Sequence, residues 1–209
     1  MGDYFQTIVD LDAGEDEAPR LAQRVVDWLV AEGIVLAERE DCVLGQPLGH
    51  PPGPHWERAA AEDDADWEPT DGLAVHTGRT VFDGGQDAPE AVTCPRCATT
   101  TPLDADPHDL VPDDADGSDQ EHPGTAGDGV WPRFVAAITD WRRTGAAAVD
   151  CPACAQPVPL PEWVWADDCF AVGHLGFEFW NWPEFTPRFR TRIAELLDGH
   201  RTAYVWGKL

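Results

Sequence analysis

The chain has 209 residues and a formal net charge of −25, from 39 acidic and 14 basic residues, of which only Lys208 is a lysine. This balance argues against bare nucleic acid as a partner, because a phosphate backbone is bound by neutralising it with cations. Neither a run of about 18 apolar residues that could span a bilayer nor a secretion signal is present, which predicts a cytoplasmic protein. Three interpretations of the charge stay open: adaptation to high salt, solubility of a protein from a GC-rich genome, or a surface that faces a basic partner.

The N-terminal residues have the pattern strand, helix, strand. Residues 4–11 form an extended apolar segment that predicts a strand. The next segment repeats apolar residues at i, i+4, i+7 and i+8, which is one stripe of a helix. Pro19 lies in its first turn, and Gly33 stands where a left-handed C-terminal cap belongs. A short apolar run at 34–37 then predicts a second strand.

The C-terminal residues repeat that pattern. Residues 170–180 predict a strand, a helix follows between Pro187 and Gly199, and residues 202–206 predict the last strand. The two helices share a motif in identical spacing. It pairs Pro19-Arg20-Leu21, Arg24-Val25 and Trp28-Leu29 with Pro187-Arg188-Phe189, Arg192-Ile193 and Leu196-Leu197.

Two such units about a pseudo-twofold axis predict an α+β fold, a ferredoxin-like sandwich with both helices on one face of a four-stranded antiparallel sheet. Residues 1–40 and 168–209 would form this core, as a βαβ–βαβ pseudo-repeat. Residues 41–90 would be a loop-rich connection with a strand or hairpin at 73–82, and residues 91–167 an inserted zinc-ribbon module. The alternative is two unrelated βαβ fragments in a larger α+β sheet.

Loops and one further helix are predicted between the two halves. Residues 45–54 contain four prolines and three glycines, which is typical of a loop. Residues 104–128 hold nine acids, three prolines and no lysine or arginine, so they predict a mobile acidic loop that cannot bury enough apolar surface to offset ordering. Residues 131–143 carry apolar side chains at helical spacing.

Two Cys-Pro-x-Cys pairs predict a zinc site. Their flanks repeat as well, because Ala91–Leu103 and Ala148–Leu160 are identical at eight of thirteen positions. Four thiolates enclose zinc tetrahedrally and leave no position open for substrate, which predicts one structural zinc ion. Reduced cysteines in two unrelated turns and a thioredoxin-like redox pair are the alternatives. The four predicted ligands are Cys94, Cys97, Cys151 and Cys154.

Other cysteines and the knuckle backbone refine this prediction. Cys42 and Cys169 are left over and are interpreted as buried free thiols. Many zinc knuckles place glycine after the second cysteine, where the backbone bends to donate an amide to sulfur. Here Ala98 and Ala155 occupy that position, so the geometry departs from the usual knuckle.

The 170–180 strand offers the one candidate catalytic pair. Period-two alternation sends one set of side chains to a helix-covered core and the other set to the open face, beside Gln6 and Ile8 of the first strand. The core set is Leu175, Phe177 and Phe179, and the open set is His174, Gly176, Glu178 and Trp180. His174 and Glu178 could act as a base and its partner or as metal ligands. A solvated polar face, or a face covered by the inserted module, is the alternative.

Three segments carry a resemblance to known proteins. They are the Asp-Tyr-Phe-Gln-Thr-Ile-Val-Asp-Leu-Asp run, the paired Cys-Pro-x-Cys knuckles and the Phe-Trp-Asn-Trp-Pro segment. Together they resemble a group of short uncharacterised actinobacterial proteins, sometimes labelled sugar ABC transporter ATPase. The sequence does not support that label, because it has no phosphate-binding loop. The resemblance implies a kind of source organism and no activity.

These observations favour a non-catalytic binding protein over an enzyme. The sequence has no nucleophile elbow and no metalloprotease helix, the predicted metal site is closed, and the 104–128 loop has no compensating base. A field of this sign speeds encounter with a cationic partner. We therefore expect an adaptor that recognises a basic protein, as an antitoxin or an immunity protein does. The alternative function is an enzyme that uses His174 and Glu178.

Overall fold

The computed structural model describes residues 2–61, 67–85, 89–104 and 129–208. The chain divides into two compact units, which we call the terminal unit (Met1–Gly85 with Phe170–Leu209) and the inserted unit (Gln86–Cys169). Both mix helices with antiparallel strands, so the protein has an α+β fold. The described elements are β1 (Tyr4–Asp10), α1 (Ala18–Ala31), β2 (Leu73–Asp83), β3 (Ala91–Thr93), β4 (Thr100–Pro102), α2 (Trp131–Thr144), β5 (Ala148–Asp150), β6 (Pro157–Pro159), β7 (Val164–Trp165), β8 (Phe170–Trp180), α3 (Pro187–Leu196) and β9 (Thr202–Lys208).

The terminal unit is built on a four-stranded sheet with the order β2-β8-β1-β9. Every neighbouring pair is antiparallel, and Ile8 of β1 faces Phe177 of β8 on one side and Tyr204 of β9 on the other. The β2–β8 register shifts between Thr77 and Thr80, which marks a β-bulge. In this order β8 and β1 are the two central strands of the sheet.

The edge strand beside β8 differs from the sequence prediction. Residues 34–37 do not form a sheet strand, because Val35 makes only an isolated bridge to Pro52. The position beside β8 belongs to β2, whose eleven residues offer a longer ladder. The apolar character of the 34–37 run instead serves the core, where Ile34 and Val35 are buried.

The two helices of this unit begin and end where local signals place them. The helix α1 is followed by a left-handed Gly33 with φ +70°, and the amide of Ile34 donates to the Leu29 carbonyl at 2.9 Å. The helix α3 is capped by Thr186, whose hydroxyl accepts from the amide of Phe189 at 3.1 Å.

Both helices contribute to one buried core with the same face of the sheet. This core contains Leu21, Val25 and Leu29 of α1, Phe189 and Ile193 of α3, and Ile8, Leu175, Phe177 and Phe179 of the sheet. The predicted inward set of β8 is confirmed. The predicted place of Ile8 and Gln6 on the open face is wrong, since Ile8 lies in this core and Gln6 is paired with Phe179. Phe5, Thr7 and Val9 alternate with them toward the opposite face.

Gln6 shows how that core accepts a polar side chain. Its Nε2 donates to the carbonyls of Trp182 and Pro183 at 2.8 and 2.7 Å, and the hydroxyl of Tyr204 donates to its Oε1. A buried amide that is bonded in this way avoids the cost of an unpaired polar group. The network ties β1 to the segment after β8.

The inserted unit packs short strands against α2. Its strands form a three-stranded sheet, β4-β3-β7, and a separate hairpin, β5-β6. Phe134 of α2 lies edge-on against Trp163 and Trp165 at 5.1 and 5.2 Å between ring centroids. The predicted acidic loop lies outside the described residues, apart from Asp104. Among the described helices none is long and apolar enough to cross a membrane.

Candidate metal centre

The first knuckle joins β3 to β4. The amide of Cys94 donates to the Thr99 carbonyl at 3.0 Å, and the amide of Ala98 donates back to the Cys94 carbonyl at 2.9 Å. The Arg96 amide points at the Cys94 sulfur, 3.3 Å away. These bonds hold Cys94 and Cys97 on one side of a tight turn.

The second knuckle, between β5 and β6, repeats this backbone. The Cys151 amide donates to the Gln156 carbonyl at 3.0 Å, and the Ala155 amide donates to the Cys151 carbonyl at 2.8 Å. Ala98 and Ala155 both adopt the left-handed conformation, with φ of 57° and 55°. The alanines therefore take the backbone that glycine usually supplies, at a steric cost.

The two knuckles bring four sulfurs together. All four Sγ atoms of Cys94, Cys97, Cys151 and Cys154 lie within 4.8 Å of one another. The Cys94–Cys154 and Cys97–Cys151 sulfurs are 4.0 and 3.8 Å apart. A tetrahedral ion with metal–sulfur bonds of about 2.3 Å needs sulfurs about 3.8 Å apart. The cluster therefore has the size that could hold one metal ion.

The electrostatics of the cluster also fit a cation. Hydrogen bonds from the hydroxyl and amide of Thr99 lower the pKa of Cys97 to about 6. The Gln156 amide lowers the pKa of Cys154, but desolvation and the neighbouring sulfurs outweigh it and raise that pKa to about 11. Desolvation and crowded sulfurs both disfavour the thiolate, and a bound cation would favour it.

His174 and Glu178 are not brought together. Four residues of a strand span roughly 13 Å, so two side chains at this spacing share a face without touching. Nδ1 of His174 lies 3.2 Å from the Ala13 carbonyl. The partner of Glu178 is instead His76 of β2, whose Nε2 is hydrogen-bonded to the Glu178 carboxylate. Both side chains of this His76–Glu178 pair are largely buried.

A second histidine–carboxylate pair, His200 with Asp10, lies at the end of the same sheet. Asp10 is fully buried, and both its oxygens lie 3.0–3.1 Å from Nδ1 of His200. One of these oxygens also accepts from the amides of Asp12 and Ala13 at 2.9 Å. Burial lowers the pKa of His200, but the hydrogen bond and charge of Asp10 outweigh it, so the pKa is raised. Sequence reasoning assigned His76 and His200 no role.

Cys42 and Cys169 are not disulfide-bonded, but both are only partly buried, so the prediction that they are buried thiols is wrong. Cys42 packs in the terminal unit between Gly49 and Gly72, where burial raises the pKa of its thiol. A Cβ atom added at Gly72 would lie 2.4 Å from the Cys42 sulfur, so glycine is needed for this close packing.

Comparison of the chain with protein-family models, curated proteins and solved structures gives no match.

Proposed function

We propose that this protein is a zinc-stabilised, acidic binding protein that recognises a basic protein partner, in the manner of an adaptor, an antitoxin or an immunity protein. The observation that carries the proposal is the surplus of carboxylates, 39 against 14 bases. Zinc and the inserted unit supply the scaffold, and the charge supplies the recognition.

The assignment of zinc follows from the donor set. Four cysteine sulfurs at tetrahedral spacing suit zinc, which prefers thiolate ligands and four-coordination. Such a site has no open position for water or substrate, so its role would be structural. Metal affinity would then contribute directly to the folding of the inserted unit as a zinc ribbon. Paired reduced cysteines also suit the cytoplasm.

We also propose a ferredoxin-like arrangement for the terminal unit. Its strand order, β2-β8-β1-β9, has β1 and β2 parallel to each other with β8 inserted between them. The helices α1 and α3 share one core, and the Arg24 guanidinium donates to the Leu196 carbonyl at 2.8 Å. Two split βαβ units of this kind support the proposal.

The distribution of charge supports a basic partner. In the described part of the chain most arginines already pair with a carboxylate, and 14 bases cannot neutralise 39 acids. The paired arginines are Arg20, Arg24, Arg58, Arg79, Arg96, Arg143, Arg192 and Arg201. A surface with one sign of charge attracts a partner of the opposite charge and repels competitors of the same charge.

Affinity capture with the full chain as bait tests this function. An unrelated protein of similar size and net charge serves as the matched control bait, at low and at high salt. We expect a basic protein to be enriched by this chain alone, with recovery that falls as salt rises. A purified partner should then bind at a defined stoichiometry by calorimetry. If the control bait captures the same proteins equally well, the proposed function is wrong.

A further inference from the structure

Large apolar side chains are exposed together on the loop that follows α1. Leu36, Leu44 and Leu48 are 41%, 51% and 44% exposed. Single exposed leucines are ordinary on protein surfaces, so these three support a binding site only together with the polar groups of the same segment. The loop is closed by the Val35–Pro52 bridge, and we call it the 35–52 loop.

Backbone hydrogen bonds hold the 35–52 loop in place. Glu40 and Gly49 exchange two bonds across it, at 3.0 and 2.9 Å. His50 and Leu73 exchange two more at 2.9 Å, and the amide of Gly72 donates to the Cys42 carbonyl at 2.7 Å. The loop is thus attached to the start of β2. A surface that is ordered before binding loses less entropy when a partner docks.

An acidic cavity of about 380 Å³ opens beside Leu44. Asp3, Asp41 and Asp71 line it. The Asn181 side-chain amide orients two of them, since it donates to Asp3 at 3.0 Å and to Asp71 at 2.8 Å. None of the three aspartates forms an ion pair with a base in the described part of the chain.

An exposed aromatic ring is linked to this cavity through Tyr4. Trp67 is 38% exposed and stacks edge-on against Tyr4, with ring centroids 5.0 Å apart. The amide of Tyr4 donates to Asn181 at 3.1 Å, which connects the ring pair to the cavity wall. Further exposed acids lie along the same segments. They are Glu38, Glu40 and Glu68.

The arginine of the loop forms no ion pair in the described part of the chain. Arg39 donates to the Leu48 carbonyl at 2.6 Å. Exposed apolar side chains therefore lie on the ordered 35–52 loop, and carboxylates without an ion pair in the described part of the chain line the cavity beside Leu44. We define the acidic docking surface by its residues: Asp3, Leu36, Asp41, Leu44, Leu48, Trp67 and Asp71.

We propose that the acidic docking surface binds a basic segment of a partner protein. An arginine or lysine side chain enters the cavity between the aspartates, and a neighbouring apolar residue covers Leu44 and Trp67. This inference rests on the proposed function and gives it a location. A planar guanidinium matches paired carboxylates through bidentate hydrogen bonds. A second copy of this chain is disfavoured as the occupant, because each copy carries a net charge of −25.

Titration with a defined peptide tests the location. The probe is a 15-residue peptide of arginine and leucine, and the control peptide has glutamate in place of arginine. Amide NMR spectra of the zinc-loaded full chain report where the probe binds. We expect shifts at residues 3–4, 36–48, 67–72 and 181, and none with the control peptide.

Charge-matched variants separate this surface from the overall charge. The double variant Asp41→Asn with Asp71→Asn should weaken peptide binding about tenfold. The control double variant Asp16→Asn with Asp27→Asn changes net charge equally on exposed positions of the α1 region and should change the affinity less than twofold. Leu44→Ser should weaken binding several-fold with no change of charge. Asp41→Asn alone, at a carboxylate that only lines the cavity, guards against misfolding of the double variant.

Four outcomes would overturn the location. They are equal weakening by both double variants, shifts that map elsewhere on the chain, identical shifts with Ca²⁺ or Mg²⁺ alone, and dimerisation of the chain through this surface. The first two leave a basic partner in place and remove only this site. Failure of the arginine peptide to bind at low salt would contradict the proposed function itself.

Discussion

Replacing Ala98 by glycine is expected to tighten zinc binding. Ala98 holds a left-handed backbone at φ 57°, which costs a residue with a Cβ atom about 1–2 kcal/mol. Glycine removes this strain but adds freedom to the unfolded chain, which costs about 0.4–1 kcal/mol. The net gain is about 0.5–1 kcal/mol. Because folding of the knuckle would be coupled to binding of the proposed zinc ion, this gain corresponds to a roughly two- to fivefold tighter affinity.

The matched control is Ala153→Gly, in the turn of the second knuckle. Ala153 is not among the residues with positive φ, so glycine there adds only flexibility and should weaken zinc binding by a similar factor. Competition with a colorimetric chelator, under reducing conditions and at fixed pH, measures both effects. Ala155→Gly should behave as Ala98→Gly does. If all three variants weaken binding alike, the left-handed strain does not limit the site.

Three further changes test the terminal unit. Trp180→Phe should lower the free energy of unfolding in urea by at least about 1 kcal/mol less than Trp182→Phe does. The buried Trp180 Nε1 has no partner among the described residues, whereas Trp182 donates to the Asp71 carbonyl at 2.8 Å. Equal losses would contradict this. Gly176→Ala should destabilise the terminal unit by about 1–3 kcal/mol, since the added Cβ would lie 2.4 Å from the Phe82 ring. The control Gly14→Ala has open space around the added Cβ and should change stability by less than about 0.5 kcal/mol. His200 has a raised pKa, so its charged form stabilises the fold at pH values below the unfolded pKa of about 6.5. This stability is lost as pH rises through the folded pKa. His200→Gln should therefore destabilise the protein most at low pH, and a pH-independent difference would refute the ion pair with Asp10.

Local signals explain what the sequence predicts well. Pro19 and Gly33 bound one helix, and Thr186 and Gly199 bound the other, because caps act within a few residues of the helix end. The cysteine cluster was predictable for a similar reason, since each knuckle is a short repeated turn. The prediction that all four sulfurs meet needed only the assumption that the two similar turns face each other.

Long-range pairing explains what the sequence leaves open. The 34–37 run and β2 are both apolar, and composition cannot tell which of them pairs with β8. His200 and Asp10 are 190 residues apart, and His76 and Glu178 are 102 apart. Only the strand register brings such residues together. His174 and Glu178 illustrate the converse, because a shared strand face does not imply contact.

The segment at 45–54 shows a third kind of difference. Its prolines and glycines predict a loop, and it has no regular element in the structure. The amide of Gly53 nevertheless donates to the Ile34 carbonyl at 2.7 Å, and a Cβ at Gly53 would lie 2.2 Å from the Gly33 carbonyl oxygen. Gly53 therefore permits a close approach of two backbone segments. Composition alone predicts only a loop at this position.

Zinc K-edge X-ray absorption on the purified chain tests the metal centre most directly. Protein prepared without chelator should contain one zinc per chain, bound by four sulfurs at about 2.3 Å and by no nitrogen or oxygen. Cys97→Ser should replace one sulfur by a lighter ligand or release the metal, while Cys42→Ser should leave the spectrum unchanged. A chain without metal, or a zinc shell with oxygen or nitrogen ligands in the unaltered protein, would contradict the four-cysteine centre.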